Sequence, residues 1–356
     1  MTIQKRNTGI DIIRVLSCYL VLSVHFFLNN GFYDQTIIGA RMSIMVLIRS
    51  GCMICVPLFM MMTGFLMNHK KLSKDYYAAL LPVVYTYIVI SIICILFKMT
   101  YLGRHYTFLS ACLSITGFTG ADYSWYIEQY LGIFLLIPFL NRMITDVTKR
   151  EMEYLLLTLL FLTAMPGFFN AYRIEFWRPA TSSTPYDSLI PDYWTGLYPI
   201  TYYFLGAYIQ RFSIKINPQT NIVALILCFL VNGLYNLWRS YGSLFTEGPW
   251  QRWGAIFNAL PAFLLFVLLL NLNYEKVPDR IIKLFKMLSP LCLGTYLISE
   301  VFDRLFYARI RDIDVPMRLE YLILVPLIFL CSMAGSAVVY QLGKPIYKYT
   351  KKCRGK

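Results

Sequence analysis

Ten stretches of this chain are long and apolar enough to cross a lipid bilayer, and that restricts the folds open to it. A helix needs about 20 consecutive apolar residues to span the hydrocarbon core. The stretches run over 9–28, 44–67, 77–99, 124–143, 152–170, 196–211, 220–238, 252–271, 287–307 and 320–342. Lipid offers no hydrogen bonds to the backbone, so only helices and closed barrels span it. The short alternating strands of a barrel are missing from the sequence. Charged residues make up 15% of the chain, against about a quarter in soluble domains. The expected fold is therefore all-α, a polytopic integral membrane protein with about ten transmembrane helices. No repeat or low-complexity linker divides the sequence, so one domain is expected over residues 1–356.

The formal net charge is +14. In a soluble protein such a charge points to nucleic acid; here its distribution points to topology. Basic residues collect in cytoplasmic loops. With both termini cytoplasmic, twenty Lys and Arg fall in inside segments and nine in outside segments, and every loop lysine is inside. An even number of spans with both ends in the cytoplasm is expected. Two longer loops, 100–123 and 171–195, then lie outside. The second mixes Trp177, Tyr186, Tyr193 and Trp194 with Asp187, Asp192 and the prolines 179, 185 and 191. Interfacial anchoring accounts for such aromatics; stacking on sugar rings, with carboxylates accepting from hydroxyls, is the second reading.

The first apolar segment carries two ionisable groups, Arg14 and His25. Eleven helical steps of about 100° bring them within about 20° of one face, roughly 16 Å apart along the axis. Charges inside a bilayer are costly and usually functional. Asp11 is placed to pair with Arg14 one turn away. Arg14 reads either as a snorkelling side chain so held or as part of a site. His25 reads either as a buried, hydrogen-bonded imidazole or as a general base for a hydroxyl attacking an acyl carbonyl. Glu128 and Glu300 are further carboxylates in apolar segments, and either would orient or charge-stabilise an imidazolium. Asp303 and Arg304 read as structural ion pairing with neighbouring helices, because lone charges there would be expensive. No Gly-x-Ser-x-Gly elbow offers a covalent serine route. Cys52 and Cys55 form a lone CxxC with no second pair, so no metal is expected. Asp11 and Arg14 interrupt the first segment and no small-residue cleavage site follows it. It is expected to stay as a transmembrane helix.

The sequence resembles the membrane-bound acyltransferase family 3, bacterial enzymes that acylate cell-surface sugars. Gly9, Asp11, Arg14 and His25 match its first-helix motif. Val56-Pro57-Leu58-Phe59 through Thr63-Gly64-Phe65-Leu66 matches its second-helix landmark. Trp125-Tyr126 with Tyr130 to Asn141, Tyr203 to Tyr208, and Gly294 to Ile298 follow in the family's order. Serines stand at 124 and 299, where many relatives carry histidine. Ala78, Ala79 and Leu80 stand where relatives carry arginines ahead of a proline, here Pro82.

What the resemblance implies is an O-acetyltransferase of the bacterial cytoplasmic membrane. Acetyl-CoA would be the donor substrate. The acceptor would be a hydroxyl of a surface polysaccharide or its lipid-linked precursor. His25, Arg14, Glu128 and Glu300 are the implied catalytic group. Arg14 with Lys70, Lys71 and Lys74 would meet the coenzyme phosphates, and Trp125 and Tyr126 the acceptor. A transporter of a glycan or lipid-linked sugar is the alternative, against which stands the lack of repeated halves. A non-catalytic sensor or scaffold is a third.

Overall fold

The computed structural model describes residues 6–170, 189–310 and 315–354. In chain order its helices are α1 (Thr8–Asn29), α2 (Gly39–Cys52), α3 (Cys55–Met67), α4 (Lys74–Ala78), α5 (Leu81–Thr100), α6 (Phe108–Thr116), α7 (Trp125–Met143) and α8 (Lys149–Thr163). They continue as α9 (Pro166–Phe169), α10 (Tyr198–Phe212), α11 (Pro218–Ser240), α12 (Ile256–Asn271), α13 (Asp279–Leu288), α14 (Cys292–Ile310), α15 (Met317–Leu342) and α16 (Lys344–Arg354). Among the described residues no strand forms, and extended pairing is limited to a bridge between Ile37 and Tyr241. The protein is an all-helical, polytopic membrane protein.

Eight helical stretches among the described residues are long and apolar enough to cross a membrane: Thr8–Asn29, Gly39–Met67, Lys74–Thr100, Lys149–Phe169, Pro218–Ser240, Pro249–Asn271, Asp279–Ile310 and Met317–Leu342. The other two expected spans, 124–143 and 196–211, also fold as helices, α7 and α10. Their limits are physical. The 15 residues of α10 reach only about 22 Å, and α7 carries Glu128 and Arg142 in its first and last turns.

The helices form two compact units, Met1–Asn68 with Asp146–Lys286, and His69–Thr145 with Met287–Lys356. In the first, α1 packs on α3, and α3 on α10. The α3–α10 contact brings backbone against backbone. A Cβ on Gly64 would run into the carbonyl of Tyr203, and one on Gly206 into the carbonyl of Met61. Small residues allow this approach where no hydrophobic effect drives helices together. Gly9 does the same for α1 against the Leu269 carbonyl of α12, 2.7 Å from its would-be Cβ. Three glycines that read as motif landmarks are thus packing requirements.

The second expected span, 44–67, is two helices that begin earlier, at Gly39, and break at Met53–Ile54. Pro57 explains the break. It has no N–H to give the carbonyl four residues back, at Met53, and the ladder resumes with Leu58 N donating to Ile54 O at 3.0 Å. Cys52 and Cys55 flank the break, both buried.

In the second unit, α14 packs on α15 and α5. The expected loop 100–123 contains a helix, α6, closed at its start by a capping box of Thr107 and Ser110. Its Phe108, Leu109 and Leu113 are exposed.

Candidate active site

Helix α1 starts where Asn7 caps it, its side chain accepting from Gly9 N at 2.8 Å and Ile10 N at 3.4 Å. Both oxygens of the buried Asp11 are engaged by Arg6, at 2.7 and 2.9 Å. Arg6 also donates to the Lys286 carbonyl at 2.7 Å. Helical spacing pointed Asp11 at Arg14; the structure adds this bidentate partner from the segment ahead of the helix. Arg14 is half-buried. His25 is 5% exposed, in the continuous buried run Val21–Phe27. Its carbonyl accepts from Asn29 Nδ2 at 2.7 Å. Phe27 carries the wall onward, ring to ring with Phe32 at 5.0 Å.

The remaining predicted site residues lie in the second unit, at opposite ends of α7. Trp125 and Tyr126 open the helix, both half-buried. Tyr126 meets Tyr296 of α14 edge-on at 6.1 Å and Tyr130 at 6.5 Å. Glu128, also in the first turn, is exposed. At the far end Asn141 Nδ2 donates to the Lys70 carbonyl at 2.7 Å. Sixteen residues separate Trp125 from Asn141, about 24 Å along the helix. Lys70, Lys71 and Lys74 thus belong to one end of this unit and the aromatic pair to the other. Lys71 and Lys74 are exposed, and Ser73 caps α4 by accepting from Tyr76 N at 3.0 Å.

At the lysine end, a cavity of about 170 Å³ is lined by Pro82, Val83, Thr86, Pro290, Leu293, Gly294, Ser336, Tyr340 and Tyr347. Helix α16 closes it through a 2.8 Å hydrogen bond between the Tyr347 and Thr86 hydroxyls. Gly294 lets α14 lie close to α15 at its wall, since a Cβ there would strike Ser336.

At the aromatic end lies a charge cluster that the sequence reading did not assemble. Lys98 is fully buried, yet its Nζ is 3.0 Å from the Gly120 carbonyl, 2.7 Å from Asp122 Oδ1 and 3.0 Å from Glu300 Oε1. Glu300 Oε2 accepts from Asp122 N at 2.6 Å. Arg304 pairs with Asp122 and, at 3.4 Å, with Glu300. Asp303 takes its hydrogen bond from Tyr123 at 2.8 Å. Glu300 is therefore bound at both oxygens. Asp303 and Arg304 thus take partners from the segment ahead of α7, Tyr123 and Asp122, and Arg304 also from Glu300 of its own helix. Burial alone would raise the Asp122 carboxyl, but the hydrogen bonds and charges of Lys98 and Arg304 outweigh it and hold Asp122 below the usual carboxylate range. The signal for this cluster was Lys98, a lysine inside an apolar span that needs a partner.

The serines at the relatives' histidine positions are both buried and locally bonded. Ser124 Oγ donates to the carbonyls of Phe118 and Ala121 at 2.6 and 2.5 Å. Ser299 Oγ donates to the Tyr296 carbonyl at 2.8 Å. Of the second aromatic loop, Trp177, Pro179, Pro185, Tyr186 and Asp187 lie outside the described residues. Within them, Tyr193 is 90% exposed and Asp192 pairs with Arg252 at 3.2 Å.

The helices long enough to cross a membrane, with Arg14 and His25 on the first of them and motif glycines at its helix contacts, make a polytopic membrane protein. The chain belongs to acyltransferase family 3, whose acyltransferase-domain model matches residues 7–341. No curated protein and no solved structure matches it.

Proposed function

We propose that this acyltransferase is an O-acetyltransferase of the bacterial cytoplasmic membrane, with both termini in the cytoplasm. It moves an acetyl group from acetyl-CoA to a hydroxyl of a surface polysaccharide or a lipid-linked glycan precursor. The observation that carries the reading is the pairing of a half-buried Arg14 with a buried His25 on one helix, about 16 Å apart. That spacing suits an extended thiol arm whose charged head stays at the Arg14 end.

In this reading His25 takes the proton of the acceptor hydroxyl as its oxygen attacks the thioester carbonyl. The tetrahedral adduct collapses with loss of the coenzyme thiolate, and the imidazolium returns the proton to that sulfur. Acetyl ester and free thiol are the products, and no other reactant is consumed. Arg14, Lys70, Lys71 and Lys74 are the proposed contacts of the donor's phosphates. Trp125 and Tyr126 offer ring faces to a sugar. Glu128 keeps its proposed catalytic role as the carboxylate that favours an imidazolium. For Glu300 we assign a positioning role, because both its oxygens are engaged by Lys98, Arg304 and Asp122 N and so fix the chain just ahead of Trp125.

The family match does not favour a glycan transporter. Purified protein in lipid, given acetyl-labelled acetyl-CoA and extracted surface glycan, tests the reading. Label appearing in the glycan supports it. Glycan crossing the membrane unlabelled, or label going to another acceptor class, contradicts it.

A further inference from the structure

Arg49 sits in α2 with its side chain only 5% exposed. A buried guanidinium is stable only where its charge and its five N–H donors are met. Here they are met in part. Nε donates to the Tyr33 hydroxyl at 3.1 Å. Nη2 reaches Glu247 Oε1 at 3.4 Å. Nη1 is buried and has no partner. The guanidinium lies over the Phe245 ring at 4.7 Å and beside Tyr33 at 5.8 Å. This is an aromatic-sided slot with one weakly held carboxylate at its edge.

Glu247 is the movable part. Its side chain is 65% exposed, and among the described residues its carboxylate has no other hydrogen bond. The backbone around it is pinned. Ile37 exchanges hydrogen bonds with Gly242 and Ser243 at 2.9 and 2.8 Å, Thr246 N donates to Ser240 Oγ at 3.0 Å, and the Thr246 carbonyl accepts from Gln251 at 3.0 Å. Rotation of this one side chain therefore leaves both Nη1 and Nη2 without a carboxylate while the loop stays pinned. The Nη1–Nη2 edge matches a planar carboxylate, which takes two parallel charge-assisted hydrogen bonds where Glu247 takes one.

The slot belongs to the same end of the first unit as His25. Phe27 meets Phe32 at 5.0 Å, Phe32 meets Phe245 at 5.3 Å, and Phe245 underlies Arg49. We propose that Arg49 binds the carboxylate of an acidic sugar in the acceptor, with Glu247 standing in for that carboxylate in the free protein. The ligand's identity as an acceptor rests on the acyltransferase reading and its orientation; the anion site itself does not.

The test is equilibrium binding to the full-length protein in neutral-lipid nanodiscs, with no acyl donor present. The probes are a glucuronate-containing oligosaccharide and the same oligosaccharide after reduction of its carboxyls to neutral glucose. Wild type is expected to prefer the acidic form. E247Q, a change at an exposed side chain, should tighten acidic-form binding by about tenfold, the scale of one charge-assisted hydrogen bond, and leave the neutral form unchanged. R49Q should abolish the preference. An E247Q protein that binds both forms as wild type does would overturn the proposal, whether or not R49Q folds. Displacement of the acidic probe by free coenzyme A in an Arg49-dependent manner would overturn the acceptor assignment. Arg49-dependent binding in a protein that transfers no acetyl group would contradict the acetyltransferase reading and leave the anion site standing.

Discussion

Lys98 Nζ and Glu300 Oε1 lie 3.0 Å apart with side-chain exposures of 0% and 1%. Two charges so far from water are stable only together. Removing one leaves the other buried and partly uncompensated, at a cost of about 3–5 kcal/mol. Lys98→Ala and Glu300→Ala should each lower thermal stability in detergent by that amount. The double variant Lys98→Ala with Glu300→Ala should lose much less than the sum of the two single changes. Additive losses in a double-mutant cycle would show that the pair is not coupled.

Asp122 gives this cluster a pH signature. Its folded carboxyl is held below the ordinary range by Lys98 and Arg304 against the opposing effect of burial. A depressed folded pKa adds stability that is complete above the unfolded value, about 3.9, and is lost as pH falls from there through the folded value. Thermal unfolding between pH 7 and 3 should therefore drop more steeply at the acid end for wild type than for Asp122→Asn. Parallel curves would contradict the assignment.

The glycine contact between α3 and α10 is equally open to test. Gly64→Ala puts a methyl group into the Tyr203 carbonyl, and overpacking of this kind costs about 1–3 kcal/mol. Gly132→Ala is the control. It lies within α7, exposed, with nothing within 4 Å of its would-be Cβ, so helix propensity should leave it neutral or up to about 1 kcal/mol more stable. Melting temperatures of the two variants should move in opposite directions or, at the least, only Gly64→Ala should fall.

The donor assignment predicts a kinetic split. Lys71 and Lys74 are exposed, so reversing both charges should spare the fold. Lys71→Glu with Lys74→Glu should raise KM for acetyl-CoA several-fold, about fivefold or more at low salt, with kcat little changed. A fall in kcat alone would remove these lysines from donor binding.

Much of the architecture is legible in the sequence because the bilayer imposes it. Apolar length alone finds the eight stretches able to cross a membrane, and Gly64, Gly206 and Gly9 stand in motifs whose physical cause is backbone contact. The break at Met53–Ile54 was also in plain view as Pro57, but a hydropathy window averages across it. Partner choice was the part not legible. Arg6 was a loop residue by count, yet it takes both oxygens of Asp11. Lys98, Asp122 and Glu300 are separated by 24 and 178 residues, and sequence separation says nothing about which buried charges meet. Arg49 is one charge within the span 44–67, and only its half-satisfied guanidinium sets it apart.

His25 is the proposed base, and single-turnover acetyl transfer by His25→Ala in purified, folded protein measures that role. The rate should fall by about 10²–10⁴-fold, the usual contribution of a positioned general base, with acetyl-CoA binding retained. Transfer at the wild-type rate would contradict it.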